Sequence, residues 1–304
     1  MNNSILKGSL LVALGASSYG MLTTFVKMAY AEGYTSYEIT FSQMLLGLIG
    51  LIIINFLFVK EKQNYVEETK TKSILKLMAA GTSLGLTSIF YYIAVKYIPV
   101  SIGIVLLMQS VWMGVLLEAF MTKKKPGLNK ILAVIVILIG TVLATNILMD
   151  SLELDWRGVG WGLLAALSYT VTIYTSNILA LHLHSFRRSL WMMLGGTLII
   201  AIISAPFLIE QFNLDIFKKW GLILALFGTI LPPILFTSGM PKINVGLGAI
   251  ISSVELPVAV ILAYLLLDEV INVYQWIGII IILGSVILMN MPKLFKAKKK
   301  QVSE

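Results

Sequence analysis

Val100-Ser-Ile-Gly-Ile-Val-Leu-Leu-Met-Gln-Ser-Val-Trp-Met-Gly114 and Val245-Gly-Leu-Gly-Ala-Ile-Ile-Ser-Ser-Val-Glu-Leu-Pro-Val-Ala259 are two versions of one pattern. Each opens on small residues among β-branched ones, reaches a polar group near its middle, and continues apolar. A second echo sets Gly8…Ala16-Ser17-Ser18-Tyr19 against Gly158…Ala166-Leu167-Ser168-Tyr169. Neither stretch alternates with a period of two, so both read as helices rather than strands.

Working outward, hydrophobic stretches of about 20 residues recur along the whole chain, the length needed to cross a hydrocarbon layer by helix. They number ten, at roughly 8–30, 36–59, 74–96, 99–121, 128–148, 158–181, 187–209, 219–240, 244–267 and 272–292. Apolar residues make up 58% and charged residues 12% of the chain, and mean hydropathy is +0.90. Soluble domains carry about 25% charged residues. The alternating segments near ten residues long that mark a β-barrel are absent. The expected fold class is an all-α membrane protein, ten transmembrane helices arranged as two inverted five-helix repeats around a central cavity. The first repeat takes residues 1–149 and the second 150–304, ending in a basic tail. Five is odd, so the second copy enters from the opposite face, as in many secondary transporters.

The net charge of +8 does not point to nucleic acid, because it follows topology. With the N-terminus cytoplasmic and sides alternating, only Lys96, Arg157, Lys218 and Lys219 fall outside, and Lys27 falls within a helix. The other Lys and Arg lie in inner loops or the tail, which is the positive-inside bias. Both termini are expected in the cytoplasm of a plasma (inner) membrane. With no cysteine in the chain, disulfides and thiolate chemistry are excluded.

Ionisable groups within membrane helices are costly and are functional candidates by default. Lys27 reads as a snorkelling residue at the outer end of helix 1, and Glu118 as an interfacial partner of Lys123 and Lys124. Glu255 is different: at about 1.5 Å per residue it lies about 16 Å deep, near the midplane. A carboxyl there either handles substrate or a proton, or hydrogen-bonds a neighbouring helix. Pro257 opposes the Ser253 carbonyl, and Pro232-Pro233 sit in the same plane, so three prolines mark expected helix breaks. Gln109 and Trp112, Ser18 and Tyr19, Tyr91, and Ser168 and Tyr169 share that depth. With Glu255 they are the candidate substrate-binding residues of a mostly apolar pocket. Gly81 and Gly85 permit close helix approach. The string Gly81-Thr-Ser-Leu-Gly85 spells a nucleophile elbow but lacks the strand–turn–helix setting. No enzyme, cofactor or metal is expected.

Ala249-Ile-Ile-Ser-Ser-Val-Glu-Leu-Pro-Val-Ala-Val-Ile-Leu-Ala-Tyr-Leu-Leu-Leu-Asp-Glu269 resembles the penultimate helix of the EamA-type branch of the drug/metabolite transporter superfamily. Phe90-Tyr-Tyr-Ile-Ala-Val-Lys-Tyr-Ile-Pro99 is similar to that family's first-repeat junction. The resemblance implies a ten-helix basket whose cavity faces each side in turn. It also implies transport of small metabolites such as amino acids, nucleobases or drugs. Trp112 and Lys124 stand where the second repeat has Pro257 and Glu269, so no kink is expected in helix 4. The leading function is a secondary transporter exporting a small amphipathic metabolite, with protons as candidate coupling ions. The alternatives are a facilitative carrier without ion coupling and a non-transporting structural or sensor membrane protein. The expected partners are a small solute, the lipid bilayer and protons.

Overall fold

The structure is a computed structural model that describes residues 2–59, 67–98, 100–145, 155–210, 212–268 and 270–301. Most of the polar linker after residue 59, the join between the halves at 146–154, Pro99 and Glu269 lie outside them. The described residues contain helices and no strand. Six helices run unbroken through this part of the chain: α1 (Asn2–Ala31), α2 (Ser36–Phe58), α3 (Glu67–Tyr97), then after two shorter ones α6 (Leu128–Ala144), α7 (Trp156–Ile178) and α8 (Ser185–Glu210). The shorter ones, α4 (Val100–Leu107) and α5 (Ser110–Thr122), are two parts of one span. The second half continues with α9 (Trp220–Leu224), a π-helical turn at Ala225–Ile230 and α10 (Leu231–Gly239) as one broken span. It ends with α11 (Val245–Ser252), α12 (Glu255–Leu267) and α13 (Val273–Gln301).

Helix starts use side-chain caps where the sequence supplies them. Thr35 and Glu38 form a reciprocal capping box on α2, Asp155 accepts from the Arg157 N–H on α7, and Asn244 accepts from the Leu247 N–H on α11. The turn after α1 passes through Gly33 at φ 91, a conformation glycine adopts without steric cost.

Seven of the helical segments are long and apolar enough to cross a membrane by length and composition. Leu128–Ala144 and Val273–Met289 are apolar but shorter. α7 is long enough but carries buried Ser168, Thr170, Thr172, Thr175 and Ser176. It tolerates the threonines because Thr170, Thr172 and Thr175 donate back to the carbonyls of Ala166, Ser168 and Val171, which pairs those three hydroxyls within the helix. The outward surface is strongly apolar: Phe56, Phe58, Phe120, Ile202, Ile209 and Ile280 are all exposed. Exposed apolar area on this scale needs lipid rather than water as its neighbour.

The repeat is exact in register within its best-matched part. An eight-residue helix, a two-residue break and a thirteen-residue helix occur twice, at a constant offset. Both thirteen-residue helices end on a left-handed residue, Lys123 at φ 54 and Asp268 at φ 53. The break bonds correspond too. Gln109 N–H donates to Leu106 O, Val111 N–H to Met108 O and Met113 N–H to Gln109 O; Val254, Leu256 and Val258 do the same to Ile251, Ser253 and Val254. Helix 4 is therefore broken without a proline, against the expectation drawn from Trp112. In its place, the Gln109 side chain donates from Nε2 to the Val105 carbonyl at 2.9 Å, the acceptor that the Gln109 backbone N–H gave up for Leu106.

The halves interleave. α1 lies against α10 and α12, α3 against α7 and α8, α5 against α11, and α6 against α13. Glycines set the closest crossings: a Cβ on Gly81 would stand 1.9 Å from the Met192 carbonyl oxygen, and one on Gly195 1.9 Å from that of Met78. Gly278 meets the Gly140 carbonyl in the same way between α13 and α6.

Candidate functional site

At the second break Glu255 becomes the first residue of α12, buried at 8% exposure. Its Oε2 accepts a hydrogen bond from the Tyr169 hydroxyl of α7 at 3.2 Å. The rings of Tyr19 and Tyr169 meet edge-on at 6.1 Å, and both pack on Phe236. Three helices from both halves thus converge beside one carboxyl.

A cavity of about 280 Å³ starts here. Its wall includes Glu255, Tyr19, Tyr169, Tyr91, Tyr92, Gln43 and Thr229, with Met44, Leu84, Met108 and Met193 as apolar lining. It reaches Lys27 and Tyr30 near the C-terminal end of α1, Thr145 beyond α6, and Gln275 at the start of α13. That end of the cavity lies on the face opposite the chain's N-terminus.

Side-chain bonds tie the helices together near the N-terminal face. Glu118 accepts from Lys130 Nζ at 2.6 and 2.7 Å and from the Gly246 N–H at 2.7 Å, so one carboxylate ties α5 and α6 to the N-terminus of α11. Such a helix terminus favours an anion. The ion pair expected with Lys123 and Lys124 is thus made with Lys130, because the chain reverses after Thr122 and brings α6 back alongside. Buried Arg188 donates to the carbonyls of Ser176, Leu179 and Thr237. Asn177 Nδ2 bridges the carbonyls of Met240 and Ile243.

Of the residues singled out from sequence, Glu255, Tyr19, Tyr91 and Tyr169 line the cavity, while the other four hold up helices beside it. The Ser18 hydroxyl donates to Phe227 O at 2.7 Å. That carbonyl is free because the Leu231 N–H reaches back to Leu226 O across the π-helical turn that precedes Pro232 and Pro233. Ser168 donates to Ser83 O at 3.0 Å, and Trp112 Nε1 donates to Gln109 Oε1 at 2.8 Å, fixing the amide that bonds Val105. Sequence reading passed over Gln43, Thr229 and Gln275 and set Lys27 at the lipid interface. A glutamine among the apolar residues of α2 was a readable signal, since an amide in a membrane helix needs a reason to be there.

Two comparisons with known proteins bear on this arrangement. The model of the EamA-like transporter family matches residues 6–146 and again 156–291. The chain belongs to the EamA-like transporter family. The double match agrees with the resemblance carried by Ala249–Glu269 and Phe90–Pro99. A crystal structure of another protein is similar at TM-score 0.74 and 14% identity, covering 92% of this chain and 96% of that one. At that identity the likeness speaks for the fold alone. No curated protein matches the sequence. The EamA-like chain is a multi-pass membrane protein of a transporter family.

Proposed function

We propose that this EamA-like protein is a ten-span secondary transporter that exports a small amphipathic metabolite by alternating access, with proton exchange at Glu255. The observation that carries the reading is one cavity that begins at a buried carboxyl shared by helices of both halves and reaches one face only. With both termini cytoplasmic, as the charge bias argues, the open end is the outer one. The knot around Glu118, Arg188 and Asn177 then closes the cytoplasmic side.

The repeat register supplies the second state. The offset that maps α4–α5 onto α11–α12 carries Glu118 to Ala263 and Lys130 to Gln275, so the outer side has no matching ion pair. Broken helices in corresponding spans of two inverted repeats are the element that secondary transporters rock around a fixed midplane site. Aromatic walls with few polar groups suit a flat or amphipathic solute. Glu255 supplies the titratable group, and the Tyr169 hydroxyl can follow its protonation state by changing partner.

Flux measured in proteoliposomes tests this reading, with amino acids, nucleobases and cationic drugs each assayed with and without a proton gradient. The expected result is gradient-driven flux of one class, lost in Glu255→Gln while solute exchange persists. Gradient response unchanged by that substitution removes Glu255 as the proton site, and absence of flux for every class removes the transporter reading.

A further inference from the structure

Four buried side-chain atoms have no hydrogen-bond partner among the described residues: Gln43 Oε1, Tyr91 OH, Asn55 Oδ1 and Ser204 Oγ. Asn55 and Ser204 are not in the cavity wall, and the Asn55 amide nitrogen ties α2 to α8 through the Leu51 and Phe186 carbonyls. Gln43 and Tyr91 both line the cavity. A buried acceptor without a donor forfeits its water hydrogen bonds and recovers nothing. A ligand that brings the donor removes that penalty as it binds, so the orphaned atoms mark where a solute gains selectivity.

Gln43 is held ready for this. It is 2% exposed, and its backbone carbonyl accepts from the Thr229 hydroxyl at 2.9 Å. Its amide rests on Gly228, where an added Cβ would lie 2.4 Å from Gln43 Nε2. This part of the wall is the π-helical turn, a deviation concentrated at functional sites. Pro232 and Pro233 also remove both N–H groups that an α- or π-type ladder would aim at the Gly228 carbonyl, which adds a backbone acceptor beside Gln43. The Tyr91 ring is braced edge-on against Tyr92 at 6.1 Å.

We propose that Gln43, with Tyr91 on the same wall, adds to the Glu255 carboxyl a neutral recognition element that selects solutes carrying a neutral N–H donor on an apolar body. A primary carboxamide or a ring N–H is the matching chemistry: Gln43 Oε1 accepts from it, and Tyr91 OH, elsewhere on the same wall, offers a donor to a solute acceptor. This inference rests on the transporter reading above and narrows its substrate class.

The test uses the full-length protein in nanodiscs and two probes, L-phenylalaninamide and its N,N-dimethylamide, with Kd measured by calorimetry. The dimethyl compound keeps the amine and the ring but has no amide N–H. The wild type should bind the primary amide about tenfold more tightly, the cost of leaving a buried acceptor unpaired. Gln43→Met keeps the volume and removes the acceptor, and should bring the ratio near one; Tyr91→Phe should reduce it several-fold. Thermal unfolding checks that each variant folds, and Tyr91→Phe, which removes a single oxygen, decides the matter if Gln43→Met does not. A wild type that binds neither probe or both equally overturns the inference, as does a ratio unchanged in every folded variant. Flux without this selectivity leaves the transporter reading standing alone; selectivity without flux does the reverse.

Discussion

Ser18 and Tyr169 both belong to the internal echo and do different work. The Ser18 hydroxyl satisfies a carbonyl that the π-helical turn leaves open, so Ser18→Ala should lower stability by about 1–3 kcal/mol, the usual cost of orphaning a buried polar group. Solute affinity should stay unchanged, as read by thermal unfolding alongside calorimetry. Tyr169→Phe removes the only side chain among the described residues that donates to Glu255 and should move the pH dependence of flux while changing unfolding less. Gly81→Ala is a third case: a methyl 1.9 Å from a backbone oxygen forces α3 from α8, with an expected loss of about 1–3 kcal/mol.

Among elements, the proline-free break in the first repeat makes a specific prediction. At the position of Trp112 the backbone N–H is not needed for Met108 O, because the Val111 N–H already takes it. Trp112→Pro should therefore leave a folded, monodisperse protein on size-exclusion, as Pro257 does in the second repeat. Leu116→Pro, one turn further into α5, should cost about 3 kcal/mol or more and fail that assay. The α1–α2 turn behaves differently. Glu32 is bonded by Lys219 Nζ and Trp220 Nε1 at 2.6 Å each, and the Lys219 bond, then the Trp220 bond, hold its carboxyl below the usual range. A lowered value means the clamp is intact above the unfolded carboxylate's pKa and is lost as pH falls through the folded one. Hydrogen exchange at this turn should rise on that acid side, and Glu32→Gln should abolish the pH response.

For the whole molecule, the two closures are unequal. Glu118, Lys130 and the α11 N-terminus hold one face with charge-assisted bonds, which are stronger than neutral ones, while Ala263 and Gln275 stand at the corresponding places on the other. Glu118→Gln should shift the population toward the opposite state. The chain has no cysteine, so a lone Thr145→Cys reports on the cavity mouth directly. In the proposed orientation, its labelling from outside should fall several-fold in the Glu118→Gln background, and unchanged labelling would refute a locking role for Glu118.

Periodicity, apolar run length and the internal echo were enough to determine helices, a membrane environment and a repeat whose second break falls at Glu255. These are properties of consecutive residues, and helix geometry converts sequence position directly into depth. Tertiary structure decided the rest. Depth does not fix direction around a helix axis: Ser18 and Tyr19 differ by one position, yet one supports a neighbouring helix and the other faces the cavity. The break at Gln109 was hidden for a similar reason, because a side-chain amide replaced the proline signal. Gln43 was readable in the sequence as an amide among apolar residues, but that its oxygen lacks a partner beside Gly228 is visible only in the packed bundle. Which polar groups are free for a solute depends on which of them the neighbouring helices have already used, and only the assembled bundle determines that.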